Sequence, residues 1–210
     1  MEKKFELTDK FVFNTFGIKL FQIKCTKSFK YAKEGDLGGY VEKDENLDQE
    51  SDAWVSGNAR VSGDAWVSGD AQVSGNAQVS GNARVYGDAR VSGNAQVSGN
   101  AQVSGDAQVS GNAQVSGNAW VSGDAWVYGN ADIENDNNHC GFDCFGSCNR
   151  HTHAYLTKDN KVEITCGCFR GSIEEFEKKV EKTHSGTIYE KQYKAIINVI
   201  KIKFGLNDLI

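Results

Sequence analysis

Asp52-Ala53-Trp54-Val55-Ser56-Gly57, Asn58-Ala59-Arg60-Val61-Ser62-Gly63 and Asp64-Ala65-Trp66-Val67-Ser68-Gly69 open a run in which one six-residue unit, Asn/Asp-Ala-x-Val-Ser-Gly, recurs fourteen times without insertion, as far as Asp132-Ile133. Ala stands at every sixth place from 53 to 131, and two places after each comes Val, or Ile133 in the last copy. A period of six matches no helical repeat, whose apolar positions recur at about 3.6, and is too short for a helix-turn-helix unit. It fits a β-solenoid in which each hexad is one short strand and a corner. Successive strand side chains point to opposite faces, so Ala and Val point inward and the variable residue between them points out. Gly permits the corner through positive φ, a region that Asn and Asp also tolerate.

The acidic residues set the coil length. Of the six Asp in the corner position, five fall at 52, 70, 88, 106 and 124, whereas 58, 76, 94, 112 and 130 are all Asn. This spacing of eighteen selects three hexads per coil, hence a triangular prism of nearly five coils whose like residues stack about 4.8 Å apart. One outward row is then Trp54, Gln72, Arg90, Gln108 and Trp126. A second is Trp66, Arg84, Gln102 and Trp120, and the third, Arg60, Gln78, Gln96, Gln114 and Asp132, has no aromatic. All four Trp lie on two faces, together with Tyr86 and Tyr128, which interrupt the Ser ladder.

Large aromatics on a flat polar sheet seek cover. They either pack under caps and against neighbouring subunits, or line a surface for a planar or anionic ligand with Arg84 and Arg90. Asp52, Asp70, Asp88, Asp106 and Asp124 form an acidic ladder. Neighbouring carboxylates about 5 Å apart repel by roughly 1 kcal/mol in water, so the ladder wants cations, Asn donors or a basic partner.

The Ala-x-Val-Ser-Gly-Asn hexads resemble the left-handed β-helix of the hexapeptide-repeat superfamily. The resemblance implies a mainly β chain, a left-handed three-sided β-helix over residues 51–134 between an N-terminal β cap (1–50) and a C-terminal α+β domain (135–210). More closely, the chain is similar to uncharacterised phage and prophage hexapeptide-repeat, or polymer-forming, proteins. These join a segment like Gly35-Asp36-Leu37-Gly38-Gly39-Tyr40, the hexads, and a tail like Gly167-Cys168-Phe169-Arg170-Gly171-Ser172. One Ala and one Val per hexad make a thin core, which favours further burial between subunits, and trimers are the habit of left-handed hexapeptide prisms. The superfamily's acyltransferases use a solenoid His as general base, and its carbonic-anhydrase-like members use three His ligands. No His precedes His139 here, so neither chemistry can be assigned to the repeats.

Net charge is −5, and Lys is missing between Lys43 and Lys158. The solenoid therefore offers no basic track for nucleic acid. The N-terminus has no apolar stretch of signal-peptide length and no segment has the apolar length of a membrane span; the expectation is a protein of the bacterial host's cytoplasm whose six Cys are reduced thiols or metal ligands.

Gly38–Glu42 is expected to begin an irregular first coil. In the tail, residues 153–157 and 161–166 read as a hairpin around Asp159-Asn160, after a polar linker at 134–138. Ser172 with Glu175 is a capping box for a first helix, and a second is expected over about 188–204. Cys140, Cys144, Cys148, His151, His153, Cys166 and Cys168 could supply a structural zinc site, or the thiols could pack a small core. The glycines of 166–172 with Arg170 could cradle an anion at the helix start, or serve as a plain turn.

These features support a non-enzymatic, phage-type binding protein that requires no cofactor. It would be a homotrimeric counter-defence or host-takeover factor that sequesters a host protein or a small nucleotide signal at Trp54, Trp66, Trp120, Trp126, Arg84, Arg90, Tyr86, Tyr128 and Arg170. The alternatives are a diverged hexapeptide acyltransferase or a tail activity dependent on His151, His153 or Cys168, and a structural or polymer-forming element.

Overall fold

The computed structural model describes residues 3–206, so the outermost ends of the two expected caps, 1–2 and 207–210, lie outside the described residues. Each hexad forms a two-residue strand, from β4 (Trp54–Val55) to β17 (Asp132–Ile133). Each strand up to Gln114–Val115 pairs in parallel with the strand eighteen residues on: Trp54 with Gln72, Arg90 with Gln108, Gln108 with Trp126. Three sheets result, and the rod is a mainly β solenoid of nearly five coils. Ala and Val of every hexad are buried, from Ala53 to Ala131 and Val55 to Val127.

The corners separate two jobs that the hexad assigns to adjacent residues. Gly57 takes φ +64°, and Ala59 N donates to Ser56 O at 3.3 Å, a turn with positive φ at its first central position. The Asn and Asp that follow are absent from the positive-φ residues, so they serve by side chain rather than by backbone freedom. Asn58 donates to Asn76, Asn76 to Asn94 and Asn94 to Asn112 at 3.1–3.2 Å, and a second ladder joins Asn82, Asn100 and Asn118 at 3.0 Å. Glycine has a second reason at the corner: a Cβ on Gly87 would stand 3.0 Å from the backbone N of Gly105.

Both ends of the rod present backbone groups that a further coil would have satisfied. At the N-terminal end, β1 (Phe5–Phe13) and β2 (Lys19–Cys25) form an antiparallel hairpin that leads into β3 (Leu37–Val41). β3 already runs parallel to the solenoid strand Arg60–Val61, and Leu47 bridges Val67, so the irregular first coil begins where Gly38–Glu42 was expected. The buried Lys4 ammonium donates to Ser51 O and Ala53 O at 2.7 and 2.8 Å, and Asn46 Nδ2 donates to Gly63 O and Ala65 O at 3.0 and 2.9 Å. Burial pushes the Lys4 amine down to about 8.

At the other end stands an antiparallel sheet of β18 (His139–Phe145), β19 (Arg150–Leu156), β20 (Val162–Cys166) and β21 (Phe169–Ser172) in that order. The hairpin at Asp159-Asn160 is as expected, whereas β18 and β21 extend the sheet on both sides beyond it. α1 (Ile173–His184) and α2 (Ile188–Lys203) cover one sheet face through Phe176, Val180, Tyr193, Ile196, Ile197 and Ile200. Ser172 and Glu175 form the expected capping box. No helix among the described residues is long and apolar enough to cross a membrane.

Candidate functional site at the junction of rod and tail

Strand alternation divides the tail sheet between two partners. Ala154, Ile164 and Cys166 face the helices, while His139, His153, Tyr155 and Thr165 face the last coil. Tyr155 is fully buried and joins the solenoid core, plugging its open end. Its hydroxyl accepts from Tyr128 N at 3.3 Å and donates to Glu163 at 3.2 Å. Arg170 clamps the same Glu163 with two hydrogen bonds of 3.0 and 3.1 Å, its guanidinium lying over the backbone of Gly129. Burial pushes the Tyr155 phenol up. Thr165 Oγ1 donates to Trp126 O at 3.0 Å, satisfying the last coil as a sixth coil would have done.

Beside Tyr155 lie three imidazoles. His139 Nδ1 and His153 Nε2 are 3.0 Å apart, so one ring donates to the other, and His151 Nδ1 meets Asp143. Burial holds His139 below the ordinary range, and burial with the neighbouring rings pushes His153 down to about 3. The Nε2 atoms of His139 and His151 are buried without a hydrogen-bond partner among the described residues.

A cleft of about 280 Å³ opens along this junction, lined by Asp124, Trp126, Asn149, Arg150, His151 and Thr165. Trp126 is 37% exposed and meets Tyr128 edge to face at 6.0 Å between ring centres. The Arg150 guanidinium packs over Gly167, whose φ is +57° and where any Cβ would fall 2.5 Å from the guanidinium nitrogen. Arg150 also lines a second cavity of about 230 Å³ between α1 and the sheet, with Cys148, Cys166, Cys168, Phe176 and Lys179. The cleft thus combines an aromatic side chain and a cation, with the Asp124 carboxylate on its rim.

The central rod is similar to YdcK beta-solenoid repeats. The family model of that description matches residues 53–69, 77–93, 83–99, 95–111, 107–123 and 113–129. No curated protein matches the chain.

The residues singled out in the sequence distribute as follows. Trp54 is buried beneath the N-terminal cap, edge to face with Phe29 at 5.4 Å between centres, whereas Trp66 and Trp120 lie open. Arg84 is exposed on the row between them, and Tyr86 bonds Gln102 on that same face. Arg90 and Tyr128 share a shallow depression with Gln72 and Gln108. Arg170 is committed to Glu163, and the start of α1 is filled by the chain's own Glu174 and Glu175, so the helix start acts as a turn. Of the acidic ladder, Asp70 pairs with Lys30 at 2.6 Å, Asp124 enters the cleft, Asp88 and Asp106 are exposed, and Asp52 lies near Lys4.

The Cys/His set is divided by the sheet. Cys140 and Cys166 face the helices, with burial pushing the Cys140 thiol up to about 11. Cys144, Cys148 and Cys168 are exposed near the turns, and His151 and His153 stand on the solenoid side. Among the described residues no three His, Cys, Asp or Glu side chains converge as a metal-binding group. Cys168 likewise shares its cavity with His184 and not with His151 or His153. Arg150, Asn149 and Lys4 were not marked by any motif.

Proposed function

We propose that the protein is a non-enzymatic binding scaffold of the phage type, a trimeric left-handed β-helix that sequesters a small planar anion such as a nucleotide signal in the junction cleft. One observation carries this reading: Trp126 and Arg150, from the solenoid and the tail respectively, wall the same cleft. An indole stacks on a planar base and a guanidinium matches a phosphate bidentately, and Gly167 makes room for that guanidinium. The fitted ligand is small, since pockets for drug-sized molecules span about 300–1,000 Å³. Sequestration of a signal suits a counter-defence role in a bacterial host, and the resemblance of the Gly35–Tyr40 and Gly167–Ser172 segments to phage proteins supports that setting.

A host protein docking on the aromatic faces is a second route to the same role. The polymer-forming alternative is less well supported, because Lys4, Asn46, Thr165 and Tyr155 already occupy backbone groups through which coils would stack end to end. Native mass spectrometry of the purified protein tests the proposal, with a trimer carrying a phosphate-bearing small molecule as the expected species. A monomer that retains no added nucleotide would overturn it.

A further inference from the structure

The prism face with the row Trp66, Arg84, Gln102 and Trp120 takes no part in the junction cleft, yet it exposes more aromatic surface than any other. Trp66 and Trp120 are 42% and 51% exposed. Hydrogen bonds tether two of its rings: Trp120 Nε1 donates to Ser104 Oγ of the preceding coil at 3.1 Å, and Tyr86 OH donates to Gln102 Oε1 of the following coil at 3.2 Å. Both bonds run between coils and fix the two rings against the sheet. The exposed Trp66 and Trp120, with the partly exposed Tyr86 between them, form an aromatic platform on a rigid sheet.

Register sets the length of that platform. Trp66 pairs with Arg84, Arg84 with Gln102 and Gln102 with Trp120, three steps that span about 14 Å at about 4.8 Å per step. A sugar ring in an extended chain advances by nearly one such step. Its axial C–H face stacks on an aromatic face, and its hydroxyls require donors and acceptors in between, which Arg84 and Gln102 supply. The charges beside the face decide among extended ligands. The adjoining edge carries the exposed carboxylates Asp88 and Asp106. A carboxylate row repels a polyanion and accepts hydrogen bonds from hydroxyls, so nucleic acid and uronate chains are disfavoured and neutral sugars are matched.

We infer that this face binds a linear neutral glycan laid along the rod, with one ring on Trp66 and another on Trp120. Cello-oligosaccharides from the dimer to the hexamer serve as probes, titrated by NMR line broadening against the full chain. Affinity rises with chain length until both Trp are spanned and then levels off. Trp66→Ala and Trp120→Ala, whose side chains lie outside the core, each weaken the hexamer by at least ~10-fold, about 1.4 kcal/mol. Arg150→Ala leaves the glycan titration unchanged, which separates this face from the junction cleft. Length-independent affinity, or no broadening with the hexamer at millimolar concentration, overturns the inference. So does loss of subunits from the native assembly in Trp66→Ala, which would assign the face to a second copy of the chain.

Discussion

Lowering the pH from about 7.5 to about 4.5 is expected to unseat the C-terminal sheet before the coils give way, and His153 is the reason. Its ring is 1% exposed, between His139, His151 and the backbone of Trp126. Burial first, then the two neighbouring imidazoles, holds it at about 3, against an ordinary 6.5. Above 6.5 the ring is neutral in both the folded and unfolded chain, and its packing contributes in full. Below 6.5 the unfolded chain takes up a proton that the folded chain excludes, so stability falls by about 1.4 kcal/mol per pH unit until the folded value is reached. At about pH 4.5 the loss from this ring is about 3 kcal/mol, and His139, also held low by burial, acts in the same direction.

Thermal melts across this range, with His153→Gln as reference, isolate the effect, because carboxylates that protonate elsewhere are common to both proteins. Hydrogen exchange should show β18 and β19 losing protection while the strands around Gln96–Val97 keep theirs. Equal loss of stability with pH in the two proteins would refute the assignment.

Trp54→Ala should cost about 3–5 kcal/mol, read as a fall in melting temperature, whereas Trp120→Ala should stay within about 0.5 kcal/mol, because only the first indole is buried. Gly87→Ala and Gly123→Ala both force Ala into positive φ, at a cost of about 1–2 kcal/mol, but only Gly87 has the next coil within 4 Å. Gly87→Ala should therefore be the more destabilising of the two in urea unfolding, and equal midpoints would contradict the stacking account. Asn94→Ala removes two ladder hydrogen bonds and should cost about 1 kcal/mol at the same assay.

The rungs were legible because a strict period leaves one arrangement in which every Ala and Val is buried, and the eighteen-residue recurrence of Asp fixed the register without any long-range information. The ends were not legible by the same means. Trp54 and Trp126 occupy equivalent places in one row, and only the cap that folds back through Phe29 makes the first a core residue. The strand β18 escaped because Cys144 at φ +62° and Asn149 at φ +48° break the alternation in a polar stretch. Arg150 carries no motif, and strand alternation groups it with Ala154 on the helix side, so its share in the cleft with Trp126 could not be read from the period. The alternation of His151, His153 and Tyr155 with Thr152 and Ala154 was the available signal for that strand. The corner Asn do not take the positive φ that the hexad also allowed them, since its chemistry does not say which of two adjacent tolerant residues will adopt that region; Gly alone does.

The most direct measurement is calorimetric titration of mono- and dinucleotides into the wild-type protein, Trp126→Ala and Arg150→Ala. Saturable binding is expected in the wild type, weakened at least ~10-fold by either substitution with the melting temperature of the free protein little changed. Absence of heat for every nucleotide tested, or binding that survives both substitutions, would contradict it.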